Sequence, residues 1–298
     1  MDLTQSAQAG GDLGAWRVCA EIAGRHYENF TVGSRVLPQR LRRHIWAVYA
    51  YCRTVDDLGD EAPGDRLALL DAWEAELHAC FAGTARHPVT RALAETVRTF
   101  SLGKEPFLKL IEANRRDQRV NRYATYADLL EYCALSANPV GHLVLGLLGC
   151  DSARTRALAD ATCTALQLTN FWQDVARDAA RDRVYIPVED MERFGYSVAE
   201  LRAGRVNDAL RALIAFEVAR TRALFDAGDA LLAHIPGRFR VDVALFSMGG
   251  RAILDRIERA RYDVLTSRPT LGRPAKAGLL LKALWRHAPG LVLRGRTL

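Results

Sequence analysis

Apolar residues recur at three- and four-residue spacing along most of the chain, which is the pattern of amphipathic helices. The stretch RLALLDAWEAELHACFAG after Pro63 places Leu67, Leu70, Trp73, Leu77 and Phe81 on one stripe. Alternating strand patterns are nearly absent, and RVYIPV (183–188) is the one short candidate. The pattern predicts an all-α fold, with one domain of ten or more helices over residues 1–298.

Helix start signals and the chain ends refine this prediction. TYADLLEYCAL opens with Thr125 and Asp128 three residues apart, which predicts a capped helix start. Long helices are predicted from Asn207 to Ile235 and from Arg240 onward, the second with a bend at Gly249–Gly250. Residues 1–14 are predicted to be disordered, and residues 288–298 to form a frayed tail.

Composition and charge exclude several classes of protein. The net charge is +6, no basic run of five or more appears and aromatic residues do not interleave with basic clusters, so we expect no nucleic-acid partner. The six cysteines form no C-x-x-C pair, and no secretory signal precedes them, so we expect reduced thiols and a cytoplasmic location. No uncharged apolar stretch reaches the ~20 residues that a membrane-spanning helix needs.

Two acidic stretches carry the candidate chemistry. TVDDLGDE contains Asp56 and Asp60, and NFWQDVARD contains Asp174 and Asp178. Residues four apart lie on one face of a helix, and like charges there destabilise the helix by roughly 0.2–0.5 kcal/mol per pair. Mg²⁺ offsets this repulsion, because it takes oxygen ligands and binds one or two carboxylates together with substrate phosphates.

The residues that precede these two stretches favour a metal site over a hydrated surface. A single D-x-x-x-D pair in a helical protein is more often a hydrated surface than a site. Here the apolar runs VYAYC and ALQLTNFW precede the two pairs, and the amides of Gln167 and Asn170 align with Asp174. Two such helices predict a cavity with an acidic rim and apolar walls, which suits a ligand with a diphosphate head and a hydrocarbon tail.

The chain resembles the squalene and phytoene synthases, the head-to-head branch of the all-α isoprenoid synthases. The resemblance runs from about His26 to about Pro269, through HYENF, LPQRLRRHIWAVYAYCRTVDDLGDE, YCALSANPVG and LQLTNFWQDVARDAARDRVYIP. It implies a single helical bundle around a central apolar cavity. It also implies a Mg²⁺ cofactor and a prenyl diphosphate substrate, with the metal held on one side by Asp56 and Asp60 and on the other by Asn170, Asp174 and Asp178.

The resemblance also implies roles for residues around the metal. Arg53 and Tyr49 join the four aspartates as candidate catalytic residues. The positions that correspond to diphosphate-binding or pocket-forming residues of relatives are His26, Tyr27, Asn29, Phe30, Tyr49, Arg53, Tyr132, Gln167, Gln173, Arg183 and Tyr185. From its position alone, Arg53 either reaches a phosphate or pairs with Asp57. Most relatives carry an Arg where Gln173 stands, so this chain has a neutral hydrogen-bonding group there.

Several segments are most similar to the bacterial hydroxysqualene synthases of hopanoid biosynthesis: HYENFTVGSRVLP, SANPVGHLVL and NFWQDVARD followed by RVYIP. This implies ionisation of presqualene diphosphate and capture of the cation by water, with the substrate handed over by other enzymes of that pathway. Tyr27, Tyr49, Tyr132 and Gln173 are the candidates for holding the water. The alternatives are a squalene, presqualene diphosphate or phytoene synthase, and a non-catalytic helical scaffold.

The C-terminal stretch AKAGLLLKALWRHAPGLVLRGRTL is basic and amphipathic. One interpretation is peripheral contact with an anionic membrane surface, on the inner face of the membrane. The other is a final core helix followed by the frayed tail.

Overall fold

The computed structural model describes residues 3–25 and 39–287, with side chains for 13–25, 40–237 and 239–287. This part of the chain is helical and contains no strand, so the all-α prediction is confirmed. The α-helices are α1 (Leu3–Arg25), α2 (Gln39–Asp60), α3 (Arg66–Ala82), α4 (Pro88–Phe100), α5 (Glu105–Asp117), α6 (Tyr126–Ser136), α7 (Asn138–Leu148), α8 (Ala153–Ala180), α9 (Val188–Arg193), α10 (Val198–Arg202), α11 (Asp208–Gly228), α12 (Arg240–Arg259) and α13 (Arg273–His287). Short 3₁₀ turns, Asp229–Ala233 and Gly237–Phe239, separate α11 from α12.

The chain forms two compact units. One comprises Met1–Arg119 and His142–Asp151, and the other comprises Val120–Gly141 and Ser152–Leu298. The boundaries pass through α7, which contributes residues to both units. The prediction of one domain over 1–298 stays a prediction.

In the first unit, α2 packs against α1, α3, α4 and α5. Its inward face carries Ala47, Tyr51 and Val55, each of which is fully buried. The Tyr51 hydroxyl donates to the Phe107 carbonyl at 3.2 Å, which ties α2 to α5. The polar face of α2 is therefore held in a fixed orientation by a packed apolar one.

In the second unit, α8 packs against α6, α10, α11 and α12. It begins at a capping box, in which Ser152 and Thr155 satisfy each other's backbone N–H groups. Trp172 is fully buried on α8, and its Nε1 donates to Thr221 Oγ1 of α11 at 2.9 Å. This anchors the end of α8 that carries the second acidic stretch.

Three of the predicted features are confirmed, two of them in helices. Thr125 and Asp128 form the predicted capping box at the start of α6. The stripe after Pro63 is α3, which begins at the N-cap Asp65 and ends at Gly83. All six cysteines are free thiols, as expected.

The N-terminal segment differs from its prediction, and the predicted C-terminal tail is not described. α1 begins at Leu3, inside the stretch 1–14 for which disorder is predicted. No proline interrupts residues 1–25, so the helix continues N-terminal to the buried Ala15 and Cys19. The predicted tail, 288–298, lies outside the described residues. None of the helices among the described residues combines the length and hydropathy needed to cross a membrane.

Candidate functional site

Four of the predicted site residues lie along one face of α2. Tyr49, Arg53, Asp56 and Asp60 follow one another at intervals of four, three and four residues, so their side chains leave the helix within about 60° of each other. Tyr49 and Asp60 are half-buried, and Asp56 retains exposed surface. The first acidic pair is therefore accessible to a ligand.

Two amides at the end of α5 contact this part of α2, Asn114 in the helix and Gln118 just after it, and sequence reasoning missed both. Asn114 Nδ2 donates to Asp56 Oδ1 at 3.4 Å and to the Leu110 carbonyl at 3.1 Å. Gln118 Nε2 donates to the Gly59 carbonyl at 2.9 Å. A Cβ at Gly59 would lie 2.1 Å from Asn114 Oδ1, so only glycine at this position lets Asn114 come so close to α2.

The surrounding protein changes the acidity of Asp56. Loss of hydration raises the pKa of Asp56 to about 7, against the opposing effects of the Asn114 hydrogen bond and the Arg53 charge. The charges of Asp60 and Asp57 raise this pKa further. At a pH near 7 the Asp56 carboxyl group is therefore about half protonated. A nearby cation would stabilise its ionised form.

Arg53 pairs with acids on its own helix. Its Nη2 donates to Asp57, one turn away, and to Glu61 Oε1 at 3.1 Å. Of the two predicted interpretations for Arg53, the pairing with Asp57 is the one present in the structure. Arg53 Nε is buried and has no hydrogen-bond acceptor among the described residues, so one donor stays available for another partner.

The second acidic stretch lies on α8. Gln167, Asn170, Asp174 and Asp178 follow at intervals of three, four and four residues, so the two amides and two acids lie along one side of the helix. Asn170 is exposed, and the other three are half-buried. The predicted alignment of the amides with the acids is therefore present on α8.

The segment between α12 and α13 contacts this stretch. Arg268 Nε and Nη2 donate to Asp174 Oδ1 and Oδ2 at 2.5 and 2.8 Å. Gln173 Nε2 donates to the Pro269 carbonyl at 2.5 Å, whereas Gln173 Oε1 is buried and has no partner in the described part of the chain. Arg268 was not among the predicted site residues, because no pattern in the sequence links it to Asp174.

An aromatic cluster lies beside α8. Phe171 and Tyr185 stack with their ring centroids 3.9 Å apart and their planes at 7°. Tyr132 and Tyr123 complete the cluster, at 5.9 and 5.8 Å from the Tyr185 centroid. All four side chains are buried. The predicted pocket residues Tyr132 and Tyr185 are thus brought together by stacking.

The turn after α8 positions Arg183 and Tyr185. The helix ends at Ala180, and Asp182 adopts a left-handed conformation with φ of 58°. Arg122 and Arg202 hold the Asp182 carboxylate at 2.8 and 2.6 Å and lower its pKa to about 2. A small cavity adjoins this turn and is lined by Phe171, Val175, Asp178, Arg183, Val184, Tyr185, Ile186 and Leu201.

On α2 and on α8, each taken by itself, the side chains present have the chemistry of magnesium ligands. Within the described residues, no three His, Cys, Asp or Glu side chains converge on one point. Each of the two helices instead offers a pair of carboxylates with neighbouring amides. This matches Mg²⁺, which prefers oxygen ligands and completes its coordination with waters and substrate phosphates. The predicted substrate contacts His26, Tyr27, Asn29 and Phe30 lie outside the described residues.

The chain is similar to known squalene and phytoene synthases. The family model for squalene/phytoene synthase matches residues 23–275. The chain is 51% identical to squalene synthase HpnC from Alicyclobacillus acidocaldarius, with a TM-score of 0.80 over 84% of this chain and 95% of that one. A dehydrosqualene synthase is 27% identical, with a TM-score of 0.86 over 92% and 97% of the two chains. The 15-cis-phytoene synthase of Synechococcus elongatus is 35% identical over 85% of this chain and 87% of its own.

Proposed function

Because the chain belongs to the squalene/phytoene synthase family, we propose that it ionises presqualene diphosphate and releases hydroxysqualene and diphosphate. The family consists of prenyltransferase-type isoprenoid synthases, and a prenyl diphosphate substrate fits it. The observation that carries the proposal is the pair of acidic faces on α2 and α8, each anchored by a buried apolar face of the same helix.

The metal in this proposal is Mg²⁺, on which the family generally depends. Asp56 and Asp60 of α2, and Asn170, Asp174 and Asp178 of α8, would hold it. When bound, Mg²⁺ neutralises the charge that develops on the leaving diphosphate. The exposure of Asp56 supports this assignment, because a cation can reach its carboxylate and that of half-buried Asp60 on the same face of α2.

Arg53 is proposed to bind the diphosphate. Its Nη2 is held by Asp57 and Glu61, which fixes the direction of the guanidinium, and its buried Nε is a donor that a phosphate oxygen would satisfy. Tyr49, one turn earlier on the same face, is proposed as a second contact. Gln167, Arg183 and Tyr185 are proposed as further contacts to the substrate.

The aromatic cluster is proposed to border the hydrocarbon part of the substrate. The C–O bond to the diphosphate breaks, the cyclopropylcarbinyl cation rearranges by ring opening, and water adds to the cation and loses a proton. No electron donor enters this balance. The π faces of Tyr132, Phe171 and Tyr185 would stabilise a neighbouring cation, and their burial would delay its capture by water until the rearrangement is complete.

The comparisons favour a C30 product over a C40 one. Identity to a protein named squalene synthase is 51%, against 35% to a protein named phytoene synthase. The alternative, a squalene, presqualene diphosphate or phytoene synthase that joins two prenyl diphosphates, uses the same acids. We propose water capture because Gln173, a neutral group that can hydrogen-bond to a water, stands where most relatives carry an Arg. We also propose that other enzymes of hopanoid biosynthesis hand over the substrate.

Product analysis tests the reaction. The purified protein is incubated with Mg²⁺ and presqualene diphosphate, without NADPH, and the products are identified by mass spectrometry. We expect a hydroxylated C30 alcohol. Products from farnesyl or geranylgeranyl diphosphate alone would support the alternative instead, and no turnover of any of the three substrates would support a non-catalytic scaffold.

Variants test the acids. Asp56→Asn and Asp174→Asn are expected to lower turnover by at least about a thousandfold, because each removes a proposed ligand of the ion that neutralises the leaving group. The far-UV circular dichroism should be unchanged. Asp255→Asn, which removes an exposed acid on α12 that pairs with Arg222, is the matched control and should retain activity. Full activity in Asp56→Asn would overturn the metal assignment.

A further inference from the structure

The exposed apolar side chains of the described structure are concentrated on α13. Four large hydrophobic residues are exposed in this part of the chain, and three of them belong to α13: Leu280 at 37%, Leu281 at 68% and Trp285 at 74%. The fourth is Leu13 on α1, at 72%. Leu281 and Trp285 are one turn apart and therefore lie on the same side of the helix. An apolar stripe of this kind on a helix marks an interaction surface.

The opposite side of α13 belongs to the core. Ala283 is fully buried, and α13 packs against α12. The helix is thus fixed to the protein by one face while Leu281 and Trp285 point away from it. α13 is therefore a packed helix whose outer face is apolar.

The charge of the chain is concentrated in the same region. Asp263 is the last acidic residue, and residues 264–298 contain seven Arg or Lys and no Asp or Glu. Residues 1–263 therefore hold 34 of the 41 basic residues and all 35 acidic ones, a formal charge of −1. The net positive charge of the protein therefore comes from residues 264–298.

The basic residues of α13 border its apolar stripe. Lys282 and Arg286 each follow one of the two most exposed apolar residues of α13, and both are themselves exposed. No ion pair joins Arg273, Lys276, Lys282 or Arg286 to an acid of the described chain, so no described acid neutralises them. A Trp and a Leu flanked by cations are the side chains that lie at the boundary between lipid headgroups and acyl chains.

We propose that the outer face of α13 docks on the surface of an anionic lipid bilayer. Leu281 and Trp285 enter the headgroup region, and Lys282 and Arg286 bind lipid phosphates. A second copy of the chain is a poorer occupant, because a two-fold contact through this face would bring two basic segments together. The proposal goes beyond the reaction and does not depend on it.

Vesicle binding tests this docking without substrate or metal. The full chain is mixed with phosphatidylcholine vesicles that contain or lack phosphatidylglycerol, and the bound fraction is measured by flotation. We expect binding to the anionic vesicles and at least about tenfold weaker binding to the neutral ones, with a steep loss as salt is added. Absence of binding to the anionic vesicles would overturn the proposal.

Matched variants separate the two contributions. Leu281→Ser with Trp285→Ser should weaken binding at least about tenfold, whereas Leu13→Ser, which removes the exposed leucine of α1, should not change it. Lys282→Gln with Arg286→Gln should weaken binding and reduce its salt dependence, whereas Arg17→Gln with Arg25→Gln should do neither. Equal effects in variant and control would contradict the assignment to α13. Self-association that Trp285→Ser abolishes, in a protein that binds no vesicles, would assign the face to a second copy.

Discussion

Arg268, which lies 94 residues further along the chain than Asp174, donates hydrogen bonds to both carboxylate oxygens of that aspartate. This fork-to-carboxylate geometry is the strongest form of a charge-assisted hydrogen bond. The guanidinium occupies the oxygens that a metal ion at Asp174 would need. Asp56 differs, because its neighbour Arg53 is directed to Asp57 and Glu61 instead. The two acidic faces therefore differ in how they are neutralised.

Removing Arg268 should strengthen metal binding at α8. If Asp174 binds Mg²⁺ as proposed, the Arg268 guanidinium competes with the ion for this carboxylate, and Arg268→Gln releases it. We expect the Kd for Mg²⁺ or Mn²⁺, measured by titration calorimetry without substrate, to fall by about three- to tenfold, since hydrogen bonds between charged groups are worth roughly 1.5–3 kcal/mol and part of this is lost to solvent.

Arg273→Gln is the control for this experiment. It removes the same charge a few residues away, and Arg273 is exposed and makes no contact with Asp174. Its metal affinity should match that of the native protein. A fall in Kd that is equal in both variants would mean that net charge, and not the Arg268–Asp174 contact, governs binding.

Local features of the fold could be predicted from the sequence, because they depend on neighbouring residues. Thr125 and Asp128 satisfy each other's backbone groups within one turn, so three residues are enough to identify the cap. The apolar stripe of α3 is likewise visible in its own residues. The pairs Asp56–Asp60 and Asp174–Asp178 share this property, since helix geometry alone aligns residues four apart.

Contacts between distant segments could not be predicted. Asn114 lies 58 residues from Asp56. The one feature of the sequence that indicates a role for Asn114 is its place as a polar residue on the buried stripe of Phe107, Leu110 and Ile111. Arg268 lies between two helices and carries no pattern at all. A bend is predicted at Gly249–Gly250, but α12 continues through the pair. Glycine at position 250 has a packing reason instead, because a Cβ there would lie 2.3 Å from Phe225.

Gly59 should not tolerate a side chain. In Gly59→Ala the new Cβ overlaps the buried Asn114 side chain, so this side chain must turn away and give up its hydrogen bonds to Asp56 and Leu110, or α5 must shift. We expect a loss of about 1–3 kcal/mol in the free energy of unfolding, as for other overpacked sites. Urea denaturation followed by circular dichroism measures this loss.

Gly14→Ala is the matched control. Gly14 is an exposed glycine in α1 with no atom near its would-be Cβ. Alanine should therefore raise stability by roughly 0.5–1 kcal/mol, because it lowers the entropy lost when the helix forms. If Gly59→Ala were as stable as Gly14→Ala, the close packing of Asn114 against α2 would be disproved.

His44 should make the protein sensitive to acid. Burial, assisted by the Arg43 charge, lowers the pKa of His44 from 6.5 to about 4. The ring is 4% exposed, and its Nδ1 lies 2.9 Å from Thr96 Oγ1. The unfolded chain binds a proton below pH 6.5 and the folded one only near pH 4, so stability is lost as pH falls through this window. The loss approaches about 3 kcal/mol.

His44→Gln should flatten this part of the profile. The variant has no titrating ring at this position, although its stability at pH 7 will be lower because the edge contacts with Trp16 and Phe100 are lost. The free energy of unfolding is measured by urea denaturation at several pH values from 7 to 4. Parallel profiles for the two proteins would assign the acid sensitivity to other groups.

Gln173 should control whether water captures the cation. Its amide nitrogen is committed to the Pro269 carbonyl, which fixes the amide orientation and leaves Oε1 as a buried acceptor without a partner among the described residues. If Oε1 holds the capturing water, Gln173→Leu should shift the product from hydroxysqualene to hydrocarbons. Gln173→Glu should retain the alcohol, because a buried carboxyl group is protonated and keeps one donor and one acceptor. Mass spectrometry of products from presqualene diphosphate gives the ratio. An unchanged ratio in Gln173→Leu would leave the water to Tyr49, Tyr132 or Tyr27.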